Sequence, residues 1–268
     1  MSPMAWVLET EVFPDSHRGL RDAVIRAGHQ AISWKDEWWD NDGWPRLSEQ
    51  RVIFHGSLGN ASRIARELPW SPGAYCDTDA FHCSAWYPRA ADWLLHDSWL
   101  LLPARELVTG GDAVLQPLGN PSRLFVRPDS PLKPFSGRVV DSAGLTLEAL
   151  DFGFYFDDSE LPVIVAPVRS IEREWRFVIV GPNVVAGSSY EPEGRVSGGS
   201  APEEAAAFAR TVASRIERPQ DVYIMDVCTS GGSMRLLELN PFSGADLHGC
   251  DRTAVVNAVS CWIEASSR

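Results

Sequence analysis

Near its C-terminus the chain reads RLLELNPFSGADLHGCD, and two polar side chains interrupt an otherwise apolar strand. Side chains two apart on a strand share a face, about 6.6–6.8 Å apart. Glu238 and Asn240 therefore point one way, while Leu237 and Leu239 point the other, into packing. The preceding strand, VYIMDV, carries Asp226. A turn spanning Thr229–Ser233 sets Cys228 opposite Met234 and Asp226 opposite Leu236, with Glu238 on the diagonal. Two carboxylates and an amide then meet on one surface. That set suits a hard cation such as Mg2+, shared with phosphate oxygens. The alternative is the solvated side of a sheet, where acids need no explanation, and the hairpin alone leaves both open.

Three other stretches carry matching chemistry. FVRPDSPLKPFSG supplies Arg127 at a strand end and Lys133 in a loop, both able to hold phosphates. REWRFVIV puts Glu174 and Arg176 on one strand face, with Trp175 and Phe177 on the other. LPVIVAP is a short apolar strand whose backbone edge could meet an adenine ring. Neither GxxxxGK followed by Ser or Thr, nor GxGxxG, occurs. The pattern is a nucleotide and metal site built on strands rather than on a phosphate-binding loop.

The whole-chain properties bound the partners. A formal charge of -12 and a pI near 4.9 oppose broad binding to nucleic acid or anionic membranes. Five cysteines without C-x-x-C spacing read as reduced thiols rather than a disulfide framework, and CDTDAFHC lacks a second ligand pair for zinc. The N-terminus has no basic and apolar leader pattern, and no run is long enough to span a bilayer, so a cytoplasmic protein is expected. Lys35 and Lys133 are the only lysines, which singles out Lys133 because an ammonium and a guanidinium are not interchangeable.

The elements that must position these residues form two groups. The first third alternates strand and helix: WVLETEVF, a helix capped by Asp15 or Ser16 and ended by Gly28, HQAISW, then RVIFHGSLG and a helix near Ser62–Leu68. That rhythm predicts an α/β unit with parallel strands, and HGSLGN falls where such sheets bind ligands. WKDEWWDNDGWP reads as a loop, and Phe81–Val108 as mainly helical. Beyond residue 115 antiparallel hairpins dominate. LTLEALDFGFYF reads as helical, APEEAAAFARTVASRIE as the clearest helix, and a last helix runs from about Asp251 to Glu264. The division expected is 1–115 and 116–268, the second splitting into parts of about 116–168 and 169–268.

These motifs in this order resemble the ATP-grasp proteins, and among them the small bacterial and phage clade named for two arginines and a lysine. The clade's patterns are similar to F-I/V-R-P-x-S-x-x-K-x-F-x-G, E-W/Y-R and E-I/L-N-P-F, matched here by FVRPDSPLKPFSG, EWR and ELNPF over roughly residues 120–260. The resemblance implies an ATP-grasp fold, α/β plus α+β, behind an N-terminal pre-ATP-grasp α/β domain. It implies ATP phosphates on Arg127 and Lys133, and adenine at the hinge strand by Ala166 and Val168. Glu174 and Arg176 would border the nucleotide and the transferred group, and Asp226, Glu238 and Asn240 would hold Mg2+. The implied reaction joins a small-molecule or peptide carboxylate to an amine through an acyl phosphate, with Arg176 and Lys133 catalytic. A small-molecule kinase or a nucleotide-binding protein without turnover are the alternatives. Two features depart from the pattern: Arg127 stands where many ATP-grasp enzymes carry Lys, and Gly137 is the loop's one glycine. The N-terminal unit, with HGSLGN and Trp34–Trp44, is expected to choose the substrates. His248 and Cys250, just beyond ELNPFSG, read as helix-entry residues.

Overall fold

The computed structural model describes residues 3–41, 45, 47, 51–150, 158–190 and 199–266. The first third is a parallel sheet of β1 (Ala5–Leu8), β2 (Gln30–Ser33), β3 (Arg51–His55) and β4 (Ser71–Gly73), in the order β2-β1-β3-β4. Parallel neighbours require crossovers, supplied here by the helices Pro14–Arg26 and Leu58–Glu67. The first of these starts earlier than its sequence signals suggest. Pro14 occupies its first turn and Phe13 is the cap residue, so no side chain caps it, and Ser16 lies inside the helix. Gly28, at φ +79°, follows its end. WKDEWWDNDGWP is partly a helical turn, Trp38–Asn41; positions 42–44 fall outside the described residues. Its Trp34 and Trp38 pack edge to face, and Trp34 meets Phe54 the same way.

The second sheet is antiparallel, in the order β5-β8-β6-β7, with β5 (Leu100–Pro103), β6 (Arg123–Pro128), β7 (Arg138–Asp141) and β8 (Pro162–Pro167). Its β5 precedes residue 115, so strand pairing crosses that position. Phe81–Val108 is not mainly helical: it holds a four-residue helix, a 3₁₀ turn, β5 and the start of a six-residue helix. Pro88 and Pro103 break the run, and the triple leucine 100–102 pairs with β8 rather than coiling. LTLEALDFGFYF yields only a 3₁₀ turn at Glu148–Leu150; its remainder lies outside the described residues.

The third sheet is also antiparallel, ordered β10-β9-β11-β12, with β9 (Arg173–Val180), β10 (Asn183–Tyr190), β11 (Val222–Ser230) and β12 (Ser233–Pro241). Helix Glu203–Arg215 lays Ala205, Ala209 and Val212 against one face, over Trp175, Phe177 and Met225. Half of the other face is also covered. Val178, Val180 and Ile224 share a core with Trp6 of β1 and with Val255 and Val259 of the last helix, Arg252–Ser266. The remaining half of that face is lined by polar side chains.

Candidate functional site

Strand register decides which polar side chains meet. Gly231 and Gly232, at φ +56° and +72°, form a two-residue turn, so Ser230 opposes Ser233 and Cys228 opposes Arg235. The pairing then shifts by one residue between Asp226 and Val227, leaving Leu237 as a bulge. The register inferred from a longer turn is therefore corrected. Asp226 lies directly opposite Glu238 rather than opposite Leu236, and Leu236, with Leu239, belongs to the core. Leu237 does not pack inward; it borders a cavity. On the other side Asp226 opposes Arg176, which opposes Ser188. A transverse row Ser188–Arg176–Asp226–Glu238 thus crosses four strands, with Glu174 and Asn240 in the flanking rows of the same face.

The charges in this row are reciprocally matched. Arg176 grips Asp226 with both arms of its fork, Nε to Oδ1 at 2.8 Å and Nη2 to Oδ2 at 2.7 Å. The Asp226 side chain is only 2% exposed, and Asn240 Nδ2 also donates to its Oδ2 at 3.1 Å. Glu238 looks across to the second sheet. Its Oε1 accepts from Arg127 Nη2 at 2.6 Å and from Lys133 Nζ at 2.9 Å, with side-chain exposures of 15% for Glu238 and 10% for Arg127. Arg127 reaches it from the end of β6. Lys133 reaches it from the following loop, where its own φ is +48°. That loop is tied down by Asp129, whose carboxylate accepts from the Ser84 backbone N–H and hydroxyl. The β12 edge is held by Trp93–Leu95: Leu236 N donates to the Trp93 carbonyl, and Leu95 N to the Leu236 carbonyl.

Titration follows from this geometry. Burial would push the Glu238 carboxyl up, but the Arg127 guanidinium and Lys133 ammonium overcome it and hold it well below the usual carboxylate range. Burial would also lower Arg127 and Arg176, yet Glu238 and Asp226 hold both guanidinium groups firmly charged. Glu174 goes the other way. Burial first, then the neighbouring Asp226 charge, raise its carboxyl to about 8. The face thus sets three carboxyl groups, Glu174, Asp226 and Glu238, against three cations, Arg127, Lys133 and Arg176, and burial keeps Glu174 protonated at neutral pH.

All nine sequence-predicted positions can now be placed. Arg127, Lys133, Glu174, Arg176, Asp226, Glu238 and Asn240 converge on one surface between the second and third sheets. Ala166 and Val168 do not line the cavity there. Ala166 is buried on β8 opposite Phe125, and Val168, just past β8, is 37% exposed. The cavity, about 260 Å³, is lined by Arg127, Lys133 and Glu238 together with Phe125, Ile171 and Leu237. Phe125 and Ile171 are not singled out by the sequence, and Leu237, expected to pack inward, lines the cavity instead. The Leu-Leu-x-Leu spelling of 236–239 was the available signal, since three leucines do not fit one alternating face without a bulge. A second cavity, about 330 Å³, opens at the carboxyl ends of β1 and β2 beside Glu9, Trp34 and Lys35. Next to it Ser57 and Asn60 of HGSLGN are engaged internally. Ser57 caps its helix by accepting from Asn60 N, and Asn60 Nδ2 donates to Glu9 and Asp36.

The fit to a divalent ion is a matter of donor chemistry. Asp226, Glu238 and Asn240 each offer a side-chain oxygen, side by side, a hard donor set of the kind a divalent ion takes. The same oxygens are taken up by Arg176, Arg127 and Lys133. Among the described residues, no group of three or more His, Cys, Asp or Glu side chains is arranged to hold a metal ion on its own. A cation here would need further oxygens from a ligand. No helix of the described residues is long and apolar enough to cross a membrane.

Three sheets arranged in this way, one parallel and two antiparallel, define an ATP-grasp fold. The whole chain superposes on D-cycloserine synthetase DcsG with a TM-score of 0.65 at 16% identity, covering 97% of this chain and 99% of the other. D-alanyl-alanine synthetase A from Vibrio cholerae O1 biovar eltor str. N16961 is similar with a TM-score of 0.63 at 14% identity, over 99% and 100%. The ATP-grasp ligase PsnB, complexed with a minimal precursor, follows at 0.58 and 11%, over 97% and 100%. No curated protein sequence matches this chain significantly. Residues 108–258, more than half of the chain, match the model of an ATP-grasp domain, the second family of the clade named for two arginines and a lysine, and the protein belongs to that family.

Proposed function

We propose that the protein is an ATP- and Mg2+-dependent ligase that joins a carboxylate to an amine through an acyl phosphate. The observation that carries this reading is the paired row itself: Glu238 holding Arg127 and Lys133 at one cavity, and Asp226, directly opposite Glu238 on the neighbouring strand, holding Arg176. Each cation there is a phosphate ligand kept in position by a carboxylate that can exchange it for a metal. The names of the similar folds, two synthetases and a ligase, support the same class.

In this proposal ATP lies against the second sheet, its adenine by Ala166 and Val168 at the C-terminal end of β8, past the pairing with β5. Arg127 and Lys133 leave Glu238 for the phosphate oxygens. Glu238, Asn240 and Asp226 would then hold Mg2+, which supplies charge neutralisation to the phosphates. Arg176 and Glu174 border the γ-phosphoryl group. The substrate carboxylate attacks the γ-phosphorus, the bond to the bridging oxygen breaks, and ADP departs. An amine next attacks the carbonyl carbon of the acyl phosphate, and inorganic phosphate leaves with the bonding pair. The protein contributes orientation and fixed positive charge rather than a nucleophile, with Arg176 and Lys133 offsetting charge in the transition state.

The test is ADP release by purified protein with ATP, Mg2+ and a panel of amino acids, short peptides and other carboxylates and amines, followed by product mass. Condensation with loss of water is the expected outcome, abolished in Lys133→Ala. A stable phosphoester would make the protein a kinase, and nucleotide binding with no turnover across the panel would overturn the reading.

A further inference from the structure

Beyond Asn240 the chain leaves β12 through the 3₁₀ turn Phe242–Gly244 and runs through Ala245–Asp251 before the last helix. This passage lies beside the charged row, because Arg176 Nη1 donates to the Asp246 carbonyl at 2.8 Å. The Asp246 carboxylate is also fixed: it accepts from the Ser16 hydroxyl and, at 2.9 Å, from the His248 backbone N–H. His248 itself sits at φ +46°, a left-handed conformation uncommon among non-glycine residues. Its ring rests against Tyr190, centroids 4.8 Å apart at 38°, and Nδ1 lies 3.8 Å from Asp246 Oδ2. The side chain is 16% exposed, so the ring is not sealed from solvent.

Helix entry does not call for this arrangement. Asp251 caps the last helix by accepting from Thr253 N and Ala254 N, without His248. The charged groups around the ring come from every neighbouring element: Arg176 from β9, Asp226 from β11, Arg252 from the last helix, and Asp246 from its own segment, with Tyr190 from β10 against its face. Burial first, and then Arg176, pull its pKa below the usual histidine value, against the opposing pull of Asp246 and Asp226. At neutral pH the ring is therefore a proton acceptor, with a carboxylate behind it.

We propose that His248 is the base that deprotonates the acceptor amine, with Asp246 orienting its ring and Tyr190 fixing the ring plane. This rests on the ligase reading. An amine arrives as its ammonium, and its nitrogen needs a lone pair before the N–C bond can form. His248 Nε2, the ring nitrogen remote from Asp246, takes that first proton; as the N–C bond then forms, the C–O bond to the phosphate breaks, its electron pair leaves on phosphate, and the second nitrogen proton departs with it as hydrogen phosphate. Arg176 bridges Asp226 and the Asp246 carbonyl, so one cation joins the charged row to the passage that carries His248.

The test compares wild type with His248→Gln in the full chain, with ATP, Mg2+ and free amino acids of both hands as carboxylate and amine. Hydroxylamine, already neutral at neutral pH, is the second nucleophile. His248→Gln is expected to lose about 100-fold or more in amino-acid condensation while keeping hydroxamate formation within about 3-fold. The rise of wild-type condensation with pH through the histidine range should vanish in the variant. Retained hydroxamate formation also reports intact folding. If His248→Gln melts early, Asp246→Asn decides instead, with a loss of about 10-fold confined to amino-acid acceptors. Equal loss with both nucleophiles, or undiminished condensation, overturns the role of His248 alone. Wild-type protein that releases no ADP with any acceptor overturns the ligase reading, and this proposal with it.

Discussion

Removing the Glu238 carboxylate as Glu238→Gln isolates the pair that joins the second and third sheets. Its two partners differ in what they lose. Lys133 is 39% exposed and rehydrates, whereas the Arg127 side chain is 10% exposed and is left charged in a dry place. Breaking a buried pair from one side costs about 3–5 kcal/mol. The glutamine carbonyl still accepts one hydrogen bond, so the lower end applies, about 3 kcal/mol. For a chain of this size that lowers Tm by roughly 6–12 °C. The control is Glu203→Gln, whose partner Arg210 is also on the surface and whose own side chain is 82% exposed; it should move stability by no more than about 0.5 kcal/mol.

The same variant separates structure from ligand binding. In wild type a nucleotide must draw Arg127 and Lys133 away from Glu238, and in Glu238→Gln both are released. A non-hydrolysable ATP analogue without metal should therefore raise the Tm of the variant more than that of wild type, while added Mg2+ should increase the shift only in wild type. Glu238 also carries a pH signature. Its folded pKa lies below the unfolded value of about 4.3, so its stabilisation is fully present above that pH and fades as pH falls toward the folded pKa. The stability gap between wild type and variant should thus shrink below about pH 4. Equal Tm values for Glu238→Gln and Glu203→Gln would refute the buried-pair argument. A Mg2+ response preserved in Glu238→Gln would refute its place at the metal.

Three further outcomes follow from particular side chains. Glu174, raised to about 8 by burial and by Asp226, binds a proton in the folded protein that the unfolded chain has already released. Stability should therefore fall as pH rises from about 4.5 to 8, and Glu174→Gln should flatten that slope and stabilise the protein at pH 8 by on the order of 1–3 kcal/mol, read from urea midpoints. Leu239→Ala, in the core, should cost about 2–5 kcal/mol, whereas Leu237→Ala, at the cavity, should cost under about 1 kcal/mol. The reverse order would restore the unbulged alternation. In native protein a thiol reagent at pH 8 should modify Cys261, which is exposed, and spare Cys76, Cys83 and Cys228, whose thiols burial pushes up to about 12, 11 and 12; mass spectrometry before and after unfolding checks it.

The site was legible in the sequence for a reason that is partly accidental. The parallel first sheet, the Ala-rich helix and the last helix followed from periodicity and caps, which are local signals. Register is different, because one residue of slip turns every side chain over. A turn of Thr229–Ser233 is one residue out against the observed Gly231–Gly232 turn, and that error alone would have set Asp226 and Glu238 on opposite faces. The bulge at Leu237 slips the pairing by one more residue, and two slips together restore the face. The shared face was thus inferred correctly while the direct pairing and the role of Leu237 were not. What stayed illegible was long-range. Nothing near Phe81–Val108 announces that Trp93–Leu95 will brace β12 or that Leu100–Pro103 will join β8. Nor does ADLHG disclose that Asp246 will meet Ser16, 230 positions earlier, and so hold His248 beside Arg176. The bulge links these levels. By turning Leu237 outward it brings Glu238 level with Asp226 and Arg176, so a single extra residue in β12 aligns the carboxylates, their cations and the passage that carries His248.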